Sequence, residues 1–273
     1  MKHVWLASAA ALGLIVSGSA GIADEAADAG ALARAAGTHG VTVQYSGSVL
    51  IFQVADISIS SEFADDTYQA AARFTAAGLA ALFTDADIEA GVSGYRDGAE
   101  LQPYRYSHLN HASSKNRVVG IDFPEGIAMP DVNPPFGNMG EPAASDEDRI
   151  GARDPISTLL AMGLGAVSTG SSRCDGRLPV FDGRARYNLR FEDGGRRDVR
   201  TRAWSGEALV CRAYYEPISG YEADEFPTAE DIAEPIDFWL APINGGEFYV
   251  PVKIRTNAGF GGVTVSARSL ETY

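Results

Sequence analysis

CDGRLPVFDGRARYNLRFEDG, residues 174–194, starts at one of the chain's two cysteines and sets three Asp-Gly pairs around two short apolar runs. Arg177–Phe181 and Ala185–Glu192 read as strands. In the second, Ala185, Tyr187, Leu189 and Phe191 alternate with Arg186, Asn188, Arg190 and Glu192, the period of two that turns one face to a core and the other to water. Asp182-Gly183 offers the φ > 0 tolerance that a tight turn needs. The segment is therefore a hairpin. The competing reading makes Asp175 and Asp182 an acid–base pair beside a thiol. Each Asp precedes a Gly at a turn signal, which is turn chemistry, and a glycosidase pair is defined by a separation that sequence does not supply.

The same pattern continues on both sides. Toward the carboxyl end, EDGGRRD reads as a turn, followed by strand-like DVRTRAW, GEALVCRAYYEPI, FWLAPI, EFYVPVKIRT and GGVTVSARSLETY, with Asn244-Gly245-Gly246 as a turn. Toward the amino end, strand signals begin at Val41 in VTVQYSG and SVLIFQVADISISSEF. TYQAAARFTAAG suits a strand or, by its alanines, a helix. LAALF (Leu79–Phe83) is a candidate helical turn. DADIEAGVSGYRDG and LQPYRYSHLNH flank a turn at Arg96–Gly98, and NRVVGIDF follows. About six strands before position 124, with connections too short for crossover helices, predict antiparallel pairing.

Residues 124–153 break the series with five prolines and the acidic cluster Asp146, Glu147 and Asp148, and read as a long irregular segment, functional or a linker. One clear helix follows near 154–163: Asp154 suits the N-cap, Pro155 the first helical position, and Gly163 and Gly165 the end. Ile156, Leu159, Leu160 and Met162 or Gly163 make its apolar stripe, and its other faces are mostly apolar too, so it should be buried against a sheet. The expected fold is mainly β: a large curved antiparallel sheet, half-barrel or β-spiral, wrapped on this one central helix, in a single domain over 40–273.

MKHVWLASAAALGLIVSGSAGIA, residues 1–23, has a short basic start, an apolar run from Val4 to Val16 and then small residues, the layout of a secretory signal peptide cleaved after Ala20 or Ala23. The run of about 13 residues is shorter than the ~20 needed to span a bilayer, so no membrane span is expected, and 24–39 reads as a flexible lead-in. This points to the periplasm. A formal charge of −14 argues against nucleic acid and anionic membrane surfaces as primary partners. Two cysteines in an exported chain make one disulfide, Cys174–Cys211; the alternative is a reactive thiol, but neither cysteine has a Cys-x-x-Cys partner or a His close in sequence.

Chemical motifs are sparse. His39, His108 and His111 are the histidines after the leader; His108 and His111, three apart, would face opposite ways on a strand, and no third metal ligand is indicated. Asp85 and Asp87 share a face if extended but lack calcium-loop spacing. Nucleophile-elbow, Ser-x-x-Lys and His-Glu-x-x-His patterns are absent, and GFGG at Gly259–Gly262 lacks dinucleotide-loop spacing. No cofactor is implied. Tyr104, Tyr106, Tyr214, Tyr215, Phe238 and Trp239 fall on strands, as core packing or as the lining of an apolar pocket that a curved sheet around a helix commonly leaves.

The succession YSGSVL, TAAGLAALFTDADIEA, ELQPYRY, DPISTLLAM, CDGRLPVFDGRARYNL, ALVCRAYYEPISGY, FWLAPI and FYVPVKI resembles an exported Gram-negative family, domain-of-unknown-function family 3108, from about Gly40 onward. The resemblance implies periplasmic half-barrels or β-spirals with a helix in the concave face, similar in shape to lipoprotein carriers and envelope-integrity proteins, and carries no catalytic residue. Two functions follow as expectations. One is a non-catalytic, monomeric periplasmic protein supporting envelope homeostasis by holding a lipid or acyl ligand or a lipoprotein or peptide partner. The other is an envelope hydrolase or metal-dependent enzyme whose residues, His108, His111, Asp85 and Asp87 foremost, converge only in the fold.

Overall fold

The computed structural model describes residues 38–165, 172–258 and 261–273; the expected leader and all but the end of the expected lead-in lie outside them. Among the described residues thirteen strands form one antiparallel sheet. They are β1 (His39–Val49), β2 (Phe52–Phe63), β3 (Thr67–Ala76), β4 (Asp87–Asp97), β5 (Glu100–Asn110), β6 (Val118–Asp122), β7 (Met129–Asn133), β8 (Gly176–Phe181), β9 (Arg186–Arg200), β10 (Ser205–Ser219), β11 (Ile236–Ile243), β12 (Phe248–Ala258) and β13 (Gly261–Thr272). Their order is β7-β6-β5-β4-β3-β2-β1-β13-β12-β11-β10-β9-β8. Two meanders thus meet where β1 pairs with β13, from Val41↔Thr272 to Val49↔Val263.

The free edges are β7 and β8. Because direction alternates along the sheet, these two run the same way, and parallel neighbours cannot be joined by a hairpin. The connection between them carries the short helix α1 (Asp146–Arg149) and the buried helix α2 (Pro155–Leu164). Asp154 caps α2, accepting from the Ser157 amide at 2.9 Å, Pro155 opens it, and Gly165 ends it in the left-handed conformation at φ 84°. Ile156, Leu160, Ala161 and Met162 are all buried, each large side chain stabilising by roughly 1.5–3 kcal/mol relative to exposure. The first turn of α2 meets Tyr68 at the start of β3. At its last turn, a Cβ on Gly163 would lie 2.5 Å from the Tyr249 carbonyl oxygen of β12. The helix therefore crosses the concave face near the rim where odd-numbered strands of the first meander begin.

The edges do not pair directly. Residues 149–153 lie between them: Ala128 donates to Arg149 O (3.2 Å) and Gly151 to Gly126 O (2.9 Å) on the β7 side, while Arg153 donates to Pro179 O (3.0 Å) and accepts from Phe181 N (2.9 Å) on the β8 side. Pro130 and Pro179 fit these positions because an edge strand leaves one row of backbone donors unused.

Three sequence expectations change. The 124–153 segment is not irregular throughout: β7 pairs with β6 from Val118↔Asn133 to Asp122↔Met129, and α1 has a full capping box at Ser145 and Asp148. EDGGRRD is not a turn. β9 runs through it, and Gly194-Gly195 forms a bulge where Leu209↔Arg196 is followed by Cys211↔Asp193, with Gly195 at φ 75°; the turn comes later, at Thr201–Trp204. Asp85 precedes β4, which starts at Asp87, so the two do not share a strand face. The ambiguous TYQAAARFTAAG is a strand, β3, with Tyr68, Ala70 and Ala72 buried. Leu79–Phe83 contains a single 3-10 turn, Ala80–Leu82. Cys174 and Cys211 form the expected disulfide, Cα–Cα 5.3 Å; it reaches across β9 to β10, and both residues are fully buried.

Candidate functional site

The interior polar groups gather at the start of α2. Tyr68 Oη and Ser157 Oγ lie 2.7 Å apart, and the Ser157 hydroxyl donates to Asp154 Oδ2. Asp154 and Ser157 have no exposed surface. Burial pushes the Asp154 carboxyl up to about 6, against the pull of hydrogen bonds from Ser157 and nearby amides. Burial, and then the charge of Asp154, lift the Tyr68 phenol well above its usual range. Next to the set, Arg153 donates to Leu101 O at 3.0 Å and to Glu100 at 2.7 Å. The chain of hydroxyls holds the helix cap against β3. All three side chains are buried.

The apolar void beneath the helix, between Val41, Val43, Tyr45 and Ile59 of the sheet and Leu159 and Leu160 of α2, measures ≈ 20 Å³, about the space of one water. At this point α2 packs closely on the sheet. At the same rim an open cleft of ≈ 490 Å³ is lined by His39, Phe63, Ala64, Asp65, Arg96, Gly98 and Glu247.

The residues singled out from sequence are dispersed. His108 faces the interior beside Tyr106 (Oη–Nδ1 3.2 Å), and burial pushes its imidazole down to about 4. His111 lies outside, 3.5 Å from Glu89. Its amide donates to Asp87 O at 2.8 Å, but the Asp87 carboxylate pairs with Arg73 at 2.7 Å. His111 and Asp87 thus share a surface ionic cluster that excludes His108. Among the described residues, no three His, Cys, Asp or Glu side chains are placed to hold one metal ion. Asp175 and Asp182 flank the six-residue β8, roughly 20 Å apart along the chain. Asp182 accepts from the amides of Arg184 (2.9 Å) and Ala185 (2.7 Å), the turn role the sequence assigned it; burial raises its carboxyl above the usual range, opposed by those bonds.

Of the aromatics, Tyr106 and Phe238 are buried. Tyr215 stacks on Tyr187 at 4.6 Å and its hydroxyl meets that of Tyr221. Tyr104 stacks on Tyr95 at the surface, Arg190 lies over Tyr214, and Lys253 over Trp239.

A feature the sequence reading missed lies at the opposite rim. The β1–β2 hairpin turns on Leu50-Ile51, and the β3–β4 connection carries Leu79, Leu82 and Phe83. The two tips are tied together by Leu79 N to Gln53 O (3.1 Å) and Ala77 N to Val54 O (3.0 Å). Leu50, Ile51, Phe52, Leu79, Leu82 and Phe83 are all exposed, Ile51 at 87% and Phe83 at 84%. SVLIFQV has no Asn, Asp or Gly to mark a turn, so the sequence carried no signal for this tip.

The profile of the family described as "Protein of unknown function (DUF3108)" matches residues 41–268, the sheet from β1 to β13. The chain belongs to this family. No curated protein matches it. Among solved structures it is similar to a β-barrel-like protein of domain of unknown function DUF1849 from Brucella abortus, with 11% identity, a TM-score of 0.51, and coverage of 86% of this chain and 98% of that one. A DUF1329 family protein from Desulfovibrio piger aligns over 90% of each chain at 9% identity and a TM-score of 0.28. At such identity the first likeness is one of fold. Membership in this family brings a shared architecture and no assigned active site.

Proposed function

We propose that this protein is exported to the periplasm and acts there without catalysis, supporting the cell envelope by engaging a hydrophobic component of it. The observation that carries this reading is the pair of adjacent tips, on which six large apolar side chains face solvent; exposed apolar patches of this kind mark interaction sites. The leader pattern of residues 1–23 supports export, and the Cys174–Cys211 disulfide suits an oxidising compartment. In this reading the hydrophobic contact lies outside the sheet, at the exposed tips.

The test combines location and contact. Osmotic release should deliver the protein with periplasmic contents, and a photo-reactive residue at Ile51 should cross-link in cells to an envelope lipid or protein, whereas one at exposed Tyr95 on the far rim should not. Retention in the cytoplasm, or equal cross-linking from both positions, refutes the proposal.

A further inference from the structure

The tips show what kind of surface they fit. Hairpin turns of two residues favour Asn-Gly or Asp-Gly because their residues need positive φ, and at the β4–β5 turn, where Asp97 pairs with Glu100, the first turn residue is Gly98 at φ 59°. At the β1–β2 tip, Val49 pairs with Phe52 and the two turn residues are Leu50 and Ile51, with Leu50 at φ 54°. A bulky side chain in that region is a conformational outlier. Large apolar groups thus stand where turn chemistry calls for small polar ones, at the most exposed point of the hairpin.

Charge is arranged to match. Residues 48–54 (SVLIFQV) and 75–84 (TAAGLAALFT) contain no ionisable side chain. The first charges beyond them are Asp56, paired with Arg268 at 2.9 Å, Arg73, paired with Asp87 at 2.7 Å, and the exposed Asp85 that follows Thr84. Elsewhere on this rim the β10–β11 connection carries Glu222, Asp224, Glu225, Glu230, Asp231 and Glu234, with Arg184 paired to Glu222 and Glu225. The rim therefore has a neutral apolar sector and an acidic sector.

The shape excludes other occupants in favour of one. Two convex tips present on the order of several hundred Å² of apolar surface, short of the ~800 Å² per partner of a standard protein interface, and protruding tips do not complement themselves. A bilayer interface needs no complementary relief and accepts apolar groups about 5–10 Å deep. Resting on the proposed envelope role, we infer that the Leu50–Phe52 and Leu79–Phe83 tips insert into the surface of a zwitterionic lipid bilayer, and that the acidic sector disfavours anionic lipid. No helix among the described residues is long and apolar enough to cross a membrane, so the contact is interfacial.

Flotation of the purified full chain with phosphatidylcholine vesicles tests this. The protein should float, float less with phosphatidylglycerol vesicles at low salt, and lose at least about tenfold in vesicle affinity in the Ile51→Asp/Phe83→Asp variant with an unchanged melting curve, since each lost apolar insertion is worth on the order of a factor of ten. Ile51→Leu should bind as the parent does. Three results overturn the inference: no flotation of the parent protein, undiminished flotation of the double variant, or a dimer in light scattering that Ile51→Asp dissolves, which makes a second copy the occupant. If flotation fails while Ile51 still cross-links to an envelope protein in cells, the bilayer inference alone falls. If that cross-link and periplasmic release both fail, the proposed function falls with it.

Discussion

Replacing Asp154 by Asn should remove a defined part of the pH dependence of folding. The Asp154 carboxyl titrates near 3.8 when unfolded and about 6 in the fold. A raised pKa means that the native state holds a proton the unfolded chain releases. The stability linked to this group is fully present below 3.8 and is lost as pH rises through about 6. The whole loss is about 3 kcal/mol, at ~1.4 kcal/mol per pKa unit, and about 2 kcal/mol of it falls between roughly pH 4.5 and pH 7.5. Asn serves as an N-cap nearly as well as Asp, its oxygen can still accept from the Ser157 amide, and its NH2 can donate to the Ser157 hydroxyl, which then turns toward Tyr68. Urea unfolding of both proteins at the two pH values cancels the other titrating groups. The difference in unfolding free energy, variant minus parent, should grow in favour of Asn by about 2 kcal/mol on going to the higher pH. A difference that stays constant would refute the buried, charge-penalised carboxyl.

Three further outcomes follow from the packing. Cys174→Ser/Cys211→Ser should lower stability by about 3–4 kcal/mol through loss of loop constraint, read as a fall in the denaturant midpoint; an unchanged midpoint would place the bridge outside the folding unit. Gly163→Leu should cost about 1–3 kcal/mol by overpacking, because the added Cβ would start 2.5 Å from Tyr249 O; unaltered thermal unfolding would show that α2 is not pressed on β12. Arg149→Met removes the guanidinium that donates to Ala128 O at 2.9 Å, so amide exchange should quicken at Ala128, Gly151 and Phe181 and stay slow along β1–β13. Uniform quickening across the sheet would contradict a role confined to the seam.

What the sequence revealed depended on whether the signal was local. Asp154-Pro155 and Gly165 mark the ends of α2 through caps that involve neighbours a few positions away, and Ala185–Phe191 shows its strand by alternation. Gly194-Gly195 misled because the glycines that make a turn also make a bulge; only Val210 on the partner strand, crowding a Cβ placed on Gly194, decides between them. β7 was hidden because its Pro130 is allowed only at an edge, and being an edge is a property of the whole sheet. The partner of Asp154 was equally out of reach: Ser157 is three residues on, but Tyr68 lies 89 positions from Ser157. The apolar rim was read as strand because SVLIFQV has strand composition throughout, and nothing in it marks Leu50-Ile51 as the point of reversal.

The direction of the strands explains why one rim is filled and the other bare. With β1 and β13 paired at the centre and β7 and β8 parallel at the edges, the chain leaving β7 must return to the opposite rim before β8 can begin. The return leg does not fill the gap between the two edges as a full strand: residues 149–153 bridge them with backbone bonds on both sides, and α2 follows. A helix that crosses a curved apolar face must be apolar on nearly every side, which is the composition of PISTLLAMGL. Once it lies there, between Tyr68 at one end and Tyr249 at the other, the void beneath it is about the space of one water. At the opposite rim no such element covers the tips, and the side chains at Leu50–Phe52 and Leu79–Phe83 are left exposed.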